Sequence, residues 1–422
     1  MKGWLKHLTM AAIMMGAHPT FAQDNAGQDT GPDAAHEMMS ACEADARGDV
    51  QSVLNACTWI IDRGDASAAD LARAHNNRGN AYLANGRADR ALADLGRAVE
   101  LDPEFALAFN NRANAYLSIG RFEEAFANFE EAVRLNPFDP NTYFSRGNAY
   151  LDYGDLEAAR NNFDGAIRLD AENPRYHYNR GLANLYDAAY EDAIDDFNRT
   201  IELDPEQGFA YTNRGNANLS LDRIDAALDD YSMAIEIDSG DAYALTNRGN
   251  LYRTLGREED AMADYNMAVR VDPMFAYALS SRGEAHRAAE RYVDAIADFR
   301  VAIRANPADA FAHNALAWIF ATGPGGLRDG DRAVEHARQA VAIAPGADTL
   351  DTLAAALVEA GEPEEAMDHY RAVMDQDEAN VRLYQKSLKE QGYYSGAVDG
   401  IVGRGTIRAF EACIAAGCQP MR

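Results

Sequence analysis

Seven arginines, Arg78, Arg112, Arg146, Arg180, Arg214, Arg248 and Arg282, recur every 34 residues. Sixteen residues after each stands an acid or an amide: Asp94, Asn128, Asn162, Asp196, Asp230, Asp264 and Asp298. A guanidinium is a rigid fork of N–H donors that fits a carboxylate through two parallel bonds. The fixed offset therefore predicts a ladder of pairs at the edges of packed helices, a scaffold role. The alternative, a stripe of arginines open to an anionic ligand, requires those acids to point elsewhere.

Asparagines accompany the arginines. Counted from repeat starts at 72, 106, 140, 174, 208, 242 and 276, positions 2, 6, 9 and 13 fall on one helical face at 3.6 residues per turn. That face carries Asn77, Asn80, Asn111, Asn114, Asn148, Asn179, Asn213, Asn216, Asn247 and Asn250, with Phe209, Tyr243 and Tyr277 towards its C-terminal end. An amide both donates and accepts, so a row of amides suits the backbone of an extended peptide without reading its charge. Only Arg73 and Arg175 are basic on the face. No nucleophile elbow, His-Glu-x-x-His pair or Cys/His metal spacing occurs, so no catalytic residue, metal or cofactor is expected.

The elements that must hold these residues follow from the same period, which means a stacked array rather than one globular core. Position 8 is glycine except for Ala113, position 20 is alanine throughout, and position 24 is Leu95, Phe129, Phe163, Phe197, Tyr231, Tyr265 or Phe299. Position 27 is alanine except for Thr200, and proline closes most units at position 32. Positions 4, 8 and 11 share one helical face and positions 20, 24 and 27 share another, which predicts two helices per unit packed through small residues and one large side chain. This pattern resembles the tetratricopeptide repeat over residues 72 to about 380. The resemblance implies an all-α fold, an α-solenoid of antiparallel helix pairs in a right-handed superhelix whose first helices line a concave groove. In that family such asparagines line peptide grooves, and they also occur in members without a peptide ligand.

Seven regular units are expected over 72–309 and two irregular ones over 310–380, the first of these lengthened by a Gly-rich loop at 322–330 that serves as a contact site or is a tolerated insertion. Residues 34–71 are expected to be a helical cap, with helices near 34–46 and 50–61. The start of the chain has a basic stretch, an apolar run from Leu8 to Ala17 and small residues at Thr20 and Ala22, the parts of a signal peptide over 1–22. A flexible segment (23–33) follows. Export to the periplasm, association with the cell wall and the absence of an integral membrane span in the mature chain are the resulting expectations. The cysteines fall as two local pairs, Cys42 with Cys57 and Cys413 with Cys418, which an array would hold apart. Two disulfides are expected, with Gly417 ending the last helix so that Cys418 can fold back.

Residues 381–422 differ in composition and contain Gly392-Tyr393-Tyr394-Ser395-Gly396-Ala397-Val398-Asp399-Gly400 followed by Gly403, Arg404 and Thr406. This run resembles the small three-helix peptidoglycan-binding domain, which implies that Tyr393 and Tyr394 stack on sugar while Asp399 or Arg404 hydrogen-bonds it. The tyrosines can equally fill a small core, and Asp399 can simply make a turn. The net charge of −28 and pI near 4.6 argue against nucleic acid and leave plain solubility or a basic partner. The expected function is a non-catalytic scaffold for a protein or extended peptide, tethered to peptidoglycan through the C-terminal module. The alternatives are an accessory subunit of a cell-wall enzyme or envelope complex, and a purely structural array.

Overall fold

The computed structural model describes residues 32–44 and 49–420, and every element among them is an α-helix. The expected signal peptide lies outside the described residues, as does the expected flexible segment up to residue 31. The chain divides into two compact units, 1–227 and 228–422, and each is described by itself.

The first unit opens with α1 (Pro32–Cys42) and α2 (Val50–Arg63), tied by the Cys42–Cys57 disulfide. Helix α1 thus starts inside the last two residues of the stretch expected to be mobile. Helix pairs follow: α3 (Ala68–Ala84) with α4 (Ala88–Leu101), α5 (Ala106–Leu117) with α6 (Phe122–Leu135), and α7 (Pro140–Tyr153) with α8 (Leu156–Leu169). Next come α9 (Pro174–Tyr186), α10 (Tyr190–Leu203) and α11 (Gly208–Ser220), while α12 (Ile224–Ile237) runs through the boundary.

The second unit pairs α13 (Ala242–Thr254) with α14 (Glu258–Val271) and α15 (Ala276–Ala288) with α16 (Tyr292–Ala305). Then follow α17 (Ala310–Thr322), α18 (Gly330–Ile343), α19 (Ala347–Ala360), α20 (Pro363–Met374), α21 (Glu378–Glu390) and α22 (Arg404–Ala415).

Within a pair, the large residue at position 24 presses on the glycine at position 8. A Cβ on Gly147 would stand 2.6 Å from Phe163, and one on Gly283 would stand 2.8 Å from Phe299. Both rings are fully buried, a burial worth about 2–3 kcal/mol for each ring. The alanines at position 20 are equally buried, from Ala91 to Ala295, because no larger side chain fits at that crossing. The turn between paired helices needs a left-handed residue at position 15. Gly86, Gly120, Gly154 and Gly256 supply it at φ of 68°, 73°, 90° and 72°, whereas Ala188, Asp222 and Glu290 adopt it at 59°, 60° and 58° without being glycine.

The Gly-rich loop after α17 is tucked in. Asp329 N–H donates to the Phe320 carbonyl at 2.9 Å, Arg328 Nε donates to the Gly323 carbonyl at 3.0 Å, and Leu327 packs on the core. Gly330 brings α18 against α19 so closely that a Cβ would lie 2.6 Å from the Ala360 Cα.

At the C-terminal end, α20, α21 and α22 pack on one another. Their rings form a triangle: Tyr370 to Tyr384 is 5.6 Å, Tyr370 to Phe410 is 5.3 Å and Tyr384 to Phe410 is 5.1 Å. The last repeat therefore supplies one of the three mutually packed helices, and α21 begins three residues before the boundary expected at 381. The reason is that Tyr384 and Phe410 bury their rings against Tyr370, in a core continuous from Leu279 to Ile414. Gly417 adopts φ of 74° after α22, and the Cys418 N–H donates back to the Cys413 carbonyl, which closes the Cys413–Cys418 disulfide. Gln419 anchors the tail by donating to the Ala321 carbonyl at 2.9 Å and the Ala355 carbonyl at 3.3 Å.

Candidate functional site

Among the arginines at position 7, Arg78, Arg180, Arg248 and Arg282 are pinned from two sides. Arg248 Nε and Nη2 donate to the two Asp264 oxygens at 2.8 and 2.9 Å, and Arg282 does the same to Asp298 at 2.8 and 2.7 Å. Arg78 forks onto Asp94 at 2.7 and 2.8 Å, and Arg180 onto Asp196 at 3.1 and 2.5 Å. Arg112 and Arg146 donate Nε to the amide oxygens of Asn128 and Asn162 at 2.7 and 2.6 Å. The remaining Nη1 reaches the preceding repeat, to a side chain sixteen residues earlier. Arg180 meets Asp164 at 2.5 Å, Arg214 meets Asn198 at 2.7 Å, Arg248 meets Ser232 at 3.1 Å and Arg282 meets Asn266 at 2.9 Å. Each of these arginines thus sews its repeat to the one before it.

The electrostatics follow the partner. Burial opposes the Asp94 charge, but the bonds from Arg78 and His75 outweigh it and hold that carboxyl below the usual range. The bond to Asp94 raises Arg78, whereas Arg112, facing only an amide, is lowered by burial. These guanidiniums are therefore engaged in the scaffold.

The asparagines divide into two groups. Asn111 donates to Asn76 at 2.9 Å, and Asn76 donates in turn to Asn77 at 2.9 Å. Asn179 is buried and donates to the Arg175 carbonyl at 2.8 Å, while Asn213 donates to the Tyr178 hydroxyl and the Phe209 carbonyl, each at 3.0 Å. The Tyr277 hydroxyl donates to Asn247 at 3.0 Å and accepts from Asn250 at 2.8 Å, and burial pushes its pKa up. Asn250 also accepts from Tyr265 at 2.8 Å. Asn216 likewise has an interaction within the fold. The polar atoms of Asn179, Asn247, Asn250 and Tyr277 thus already make hydrogen bonds within the fold.

Asn80, Asn114 and Asn148 differ. All three stand at position 9, on α3, α5 and α7, and their side-chain amides have no hydrogen-bond partner among the described residues. Helix α3 touches α5, and α5 touches α7, so the three amides lie on successive neighbouring helices. Asp152 lies one helical turn after Asn148, and the surrounding protein pushes its carboxyl above the ordinary range. Phe209 and Tyr243 remain exposed, with Tyr243 edge-on to Phe275 at 4.6 Å.

In the C-terminal module, Gln385 is the hub. Its amide nitrogen donates to Asp399 at 2.9 Å and to the Ile401 carbonyl at 3.1 Å, and its oxygen accepts from the Gly400 N–H at 3.0 Å. Asp399 also accepts from the Ile401 N–H at 3.0 Å, which together with the Gln385 bond lowers its pKa. The Tyr394 hydroxyl donates to the Ala397 carbonyl at 2.9 Å, and its ring leaves no room for a Cβ on Gly396. Two of the four glycan candidates are thus spent on holding the loop. Tyr393 packs half-buried with its hydroxyl unpartnered among the described residues, and Arg404 is exposed without an ion-pair partner among them.

One cleft falls outside the sequence expectations. It has a volume of about 790 Å3 and lies between α2, α3 and the start of α4, lined by Trp59, Tyr82, Arg87 and Arg90 among others. The signal for it was present in the repeat register, where position 19 holds Arg90 while the other repeats have four acids and two alanines.

The comparisons agree with this architecture. Tetratricopeptide repeat models match residues 76–140, 185–242 and 242–275, and a TPR repeat model matches 147–185. No curated protein matches the chain significantly. Among solved structures, the APC/C hetero-tetramer Cut9-Hcn1 is 16% identical with a TM-score of 0.50, covering 77% of this chain and 63% of its own. YrrB, described as a TPR protein with an unusual peptide-binding site, is 26% identical with a TM-score of 0.38 and covers 44% of this chain and 97% of its own. PilF of Pseudomonas aeruginosa is 18% identical with a TM-score of 0.45, covering 51% of this chain and 99% of its own. With matches running almost unbroken from residue 76 to 275 and helices packed pairwise there, this part of the chain is an array of tetratricopeptide repeats.

Proposed function

We infer that the protein is a non-catalytic scaffold that takes an extended protein segment across α3, α5 and α7. The observation that carries this reading is the row of unpartnered amides at Asn80, Asn114 and Asn148, set against the internal satisfaction of Asn179, Asn247 and Asn250. Neighbouring helices pack about 8–10 Å apart and an extended chain advances about 3.3 Å per residue, so one amide meets the segment about every third residue. Asp152 and the net charge of −28 favour a segment with basic side chains.

The test is photo-crosslinking in cells. A crosslinker at position 114 is expected to capture a partner that one at position 250 does not, and changing Asn80, Asn114 and Asn148 together to alanine should abolish recovery of that partner. Equal capture from both positions would sink the reading.

The same proposal places the chain in the periplasm, on the strength of its signal-like first 22 residues and two cysteine pairs. Tethering to peptidoglycan rests on Tyr393 and Arg404, the two candidates that the fold leaves with unpartnered polar groups. Retention on purified sacculi should fall on changing Tyr393 and Arg404 to alanine. Unchanged retention, or none in the parent chain, removes the tether and leaves the groove reading intact. No described helix is long and apolar enough to cross a membrane.

A further inference from the structure

In two repeats, an arginine at position 16 is complete within the chain. Arg121 lies 4.9 Å over the Tyr116 ring and pairs with Glu124, and Arg257 lies 4.1 Å over Tyr252 and pairs with Asp260 at 2.7 Å. Tyrosine at position 11, arginine at 16 and an acid at 19 make a closed set: an aromatic face, a cation and its counterion.

The first repeat keeps the tyrosine and the arginine, as Tyr82 and Arg87, but carries Arg90 at position 19. Two cations stand where the second, sixth and seventh repeats have one cation and one anion, as Arg121/Glu124, Arg257/Asp260 and Arg291/Asp294. Arg87 has no ion pair or hydrogen bond from its side chain among the described residues, and Arg90 touches only the Tyr82 ring, at 5.7 Å. Both line the 790 Å3 cleft, whose far wall is Trp59 with Arg63 lying 5.0 Å over it. Arg87 also caps α4 with no side-chain bond to the first turn, so the helix end adds its partial positive charge to the same place. The cleft is held on one side by α2, which the Cys42–Cys57 disulfide ties to α1. Its volume falls in the ~300–1,000 Å3 range of small-ligand sites.

We propose that this cleft is a second binding site, separate from the amide row, which takes an acidic peptide segment. A ligand carboxylate occupies the place that Glu124 and Asp260 fill elsewhere, and the aromatic or aliphatic side chain next to it lies between Trp59 and Tyr82. Arg63, Arg87 and Arg90 outnumber the one carboxylate of the lining, Asp62, so the occupant is acidic, and its apolar neighbour follows from the two half-buried rings. The overall charge of −28 does not bar it, since screening confines surface charge effects to about 8 Å at physiological salt. A nucleic acid fits less well, because its continuous row of phosphates would run out of the cleft onto an acidic surface.

The probe is a fluorescein-labelled octapeptide, Glu-Leu-Glu-Phe repeated twice, titrated into the full chain and followed by anisotropy, with its glutamine counterpart as control. Saturable binding of the acidic peptide is expected, weakened about tenfold or more by the glutamine replacement, which removes the charge-assisted bonds. Arg90→Glu is the decisive variant. It recreates the arginine–acid pair of the second and sixth repeats, so the fold is retained, and binding should fall by about tenfold or more. Changing Asn114 to alanine should leave this binding unchanged, which separates the site from the groove. The proposal is overturned if Arg90→Glu binds the peptide as tightly as the parent, if the glutamine peptide binds equally well, or if millimolar inorganic phosphate displaces the peptide completely.

Discussion

Replacing Arg248 with methionine keeps most of the aliphatic stem and removes the fork. Asp264 is then left with a side chain only 10% exposed and without the two bonds at 2.8 and 2.9 Å that neutralise it. Breaking one half of a fully buried pair costs about 3–5 kcal/mol. Because Arg248 is itself 19% exposed, water reaches the site, and the low end, about 3 kcal/mol, is expected. Removing both charges in Arg248→Met/Asp264→Leu should cost only about 0–1 kcal/mol, since paired burial roughly balances its own desolvation. The second change should therefore restore about 2–3 kcal/mol of what Arg248→Met alone loses. A repeat array need not unfold in one step, so amide exchange in α13 and α14 should be read beside urea denaturation. If the double variant is destabilised by the sum of the two single changes, the pair does not act as a unit and the ladder reasoning fails.

Two further outcomes follow from backbone and titration. Glu290→Gly and Ala188→Gly relieve left-handed residues at 58° and 59°. Relief of about 1–2 kcal/mol against an unfolded-state entropy loss of about 0.4–1 kcal/mol predicts a gain of up to about 1.5 kcal/mol for each, visible as a higher urea midpoint; a loss at both sites would refute it. His313 and His336 lie in contact, ring nitrogens 3.1 Å apart, and burial lowers both pKa values, with His313 adding to the effect on His336. Below the ordinary histidine value of about 6.5, the unfolded chain binds protons that the folded chain refuses. The stability these residues provide is therefore full above that pH and lost as pH falls towards the folded values. His336→Phe should flatten the slope of stability against pH between about 6.5 and 5, and an unchanged slope would discount the pair.

Much of the fold was legible because its determinants repeat within a single period. Glycine at position 8 and a large side chain at 24 belong to one helix pair, so their contact could be read from one repeat and checked against six others. The same holds for the arginine fork and the residue sixteen positions later, as Arg78 with Asp94 and Arg282 with Asp298 show. The third donor of the arginine was not legible, since its partner changes type from Asp164 to Asn198 to Ser232 and leaves no pattern. Which amides of the row bond within the fold was not legible for a related reason. Asn250 looks like Asn80 in sequence, and the hydroxyls of Tyr265 and of Tyr277 in the next repeat distinguish them.

The sequence by itself determined the period, the helix pairs, their close-packed seams and the chemical types on each face, because helical periodicity and side-chain volume are local properties of the chain. Tertiary structure decided which of those polar groups remain free. Hydrogen-bond satisfaction depends on side chains brought in from a neighbouring repeat, and a single phenol or carboxylate at the right distance turns a binding residue into scaffold. By that criterion Asn80, Asn114 and Asn148 are available and Asn247 and Asn250 are not, and Arg87 waits for a carboxylate that Arg121 and Arg257 already have.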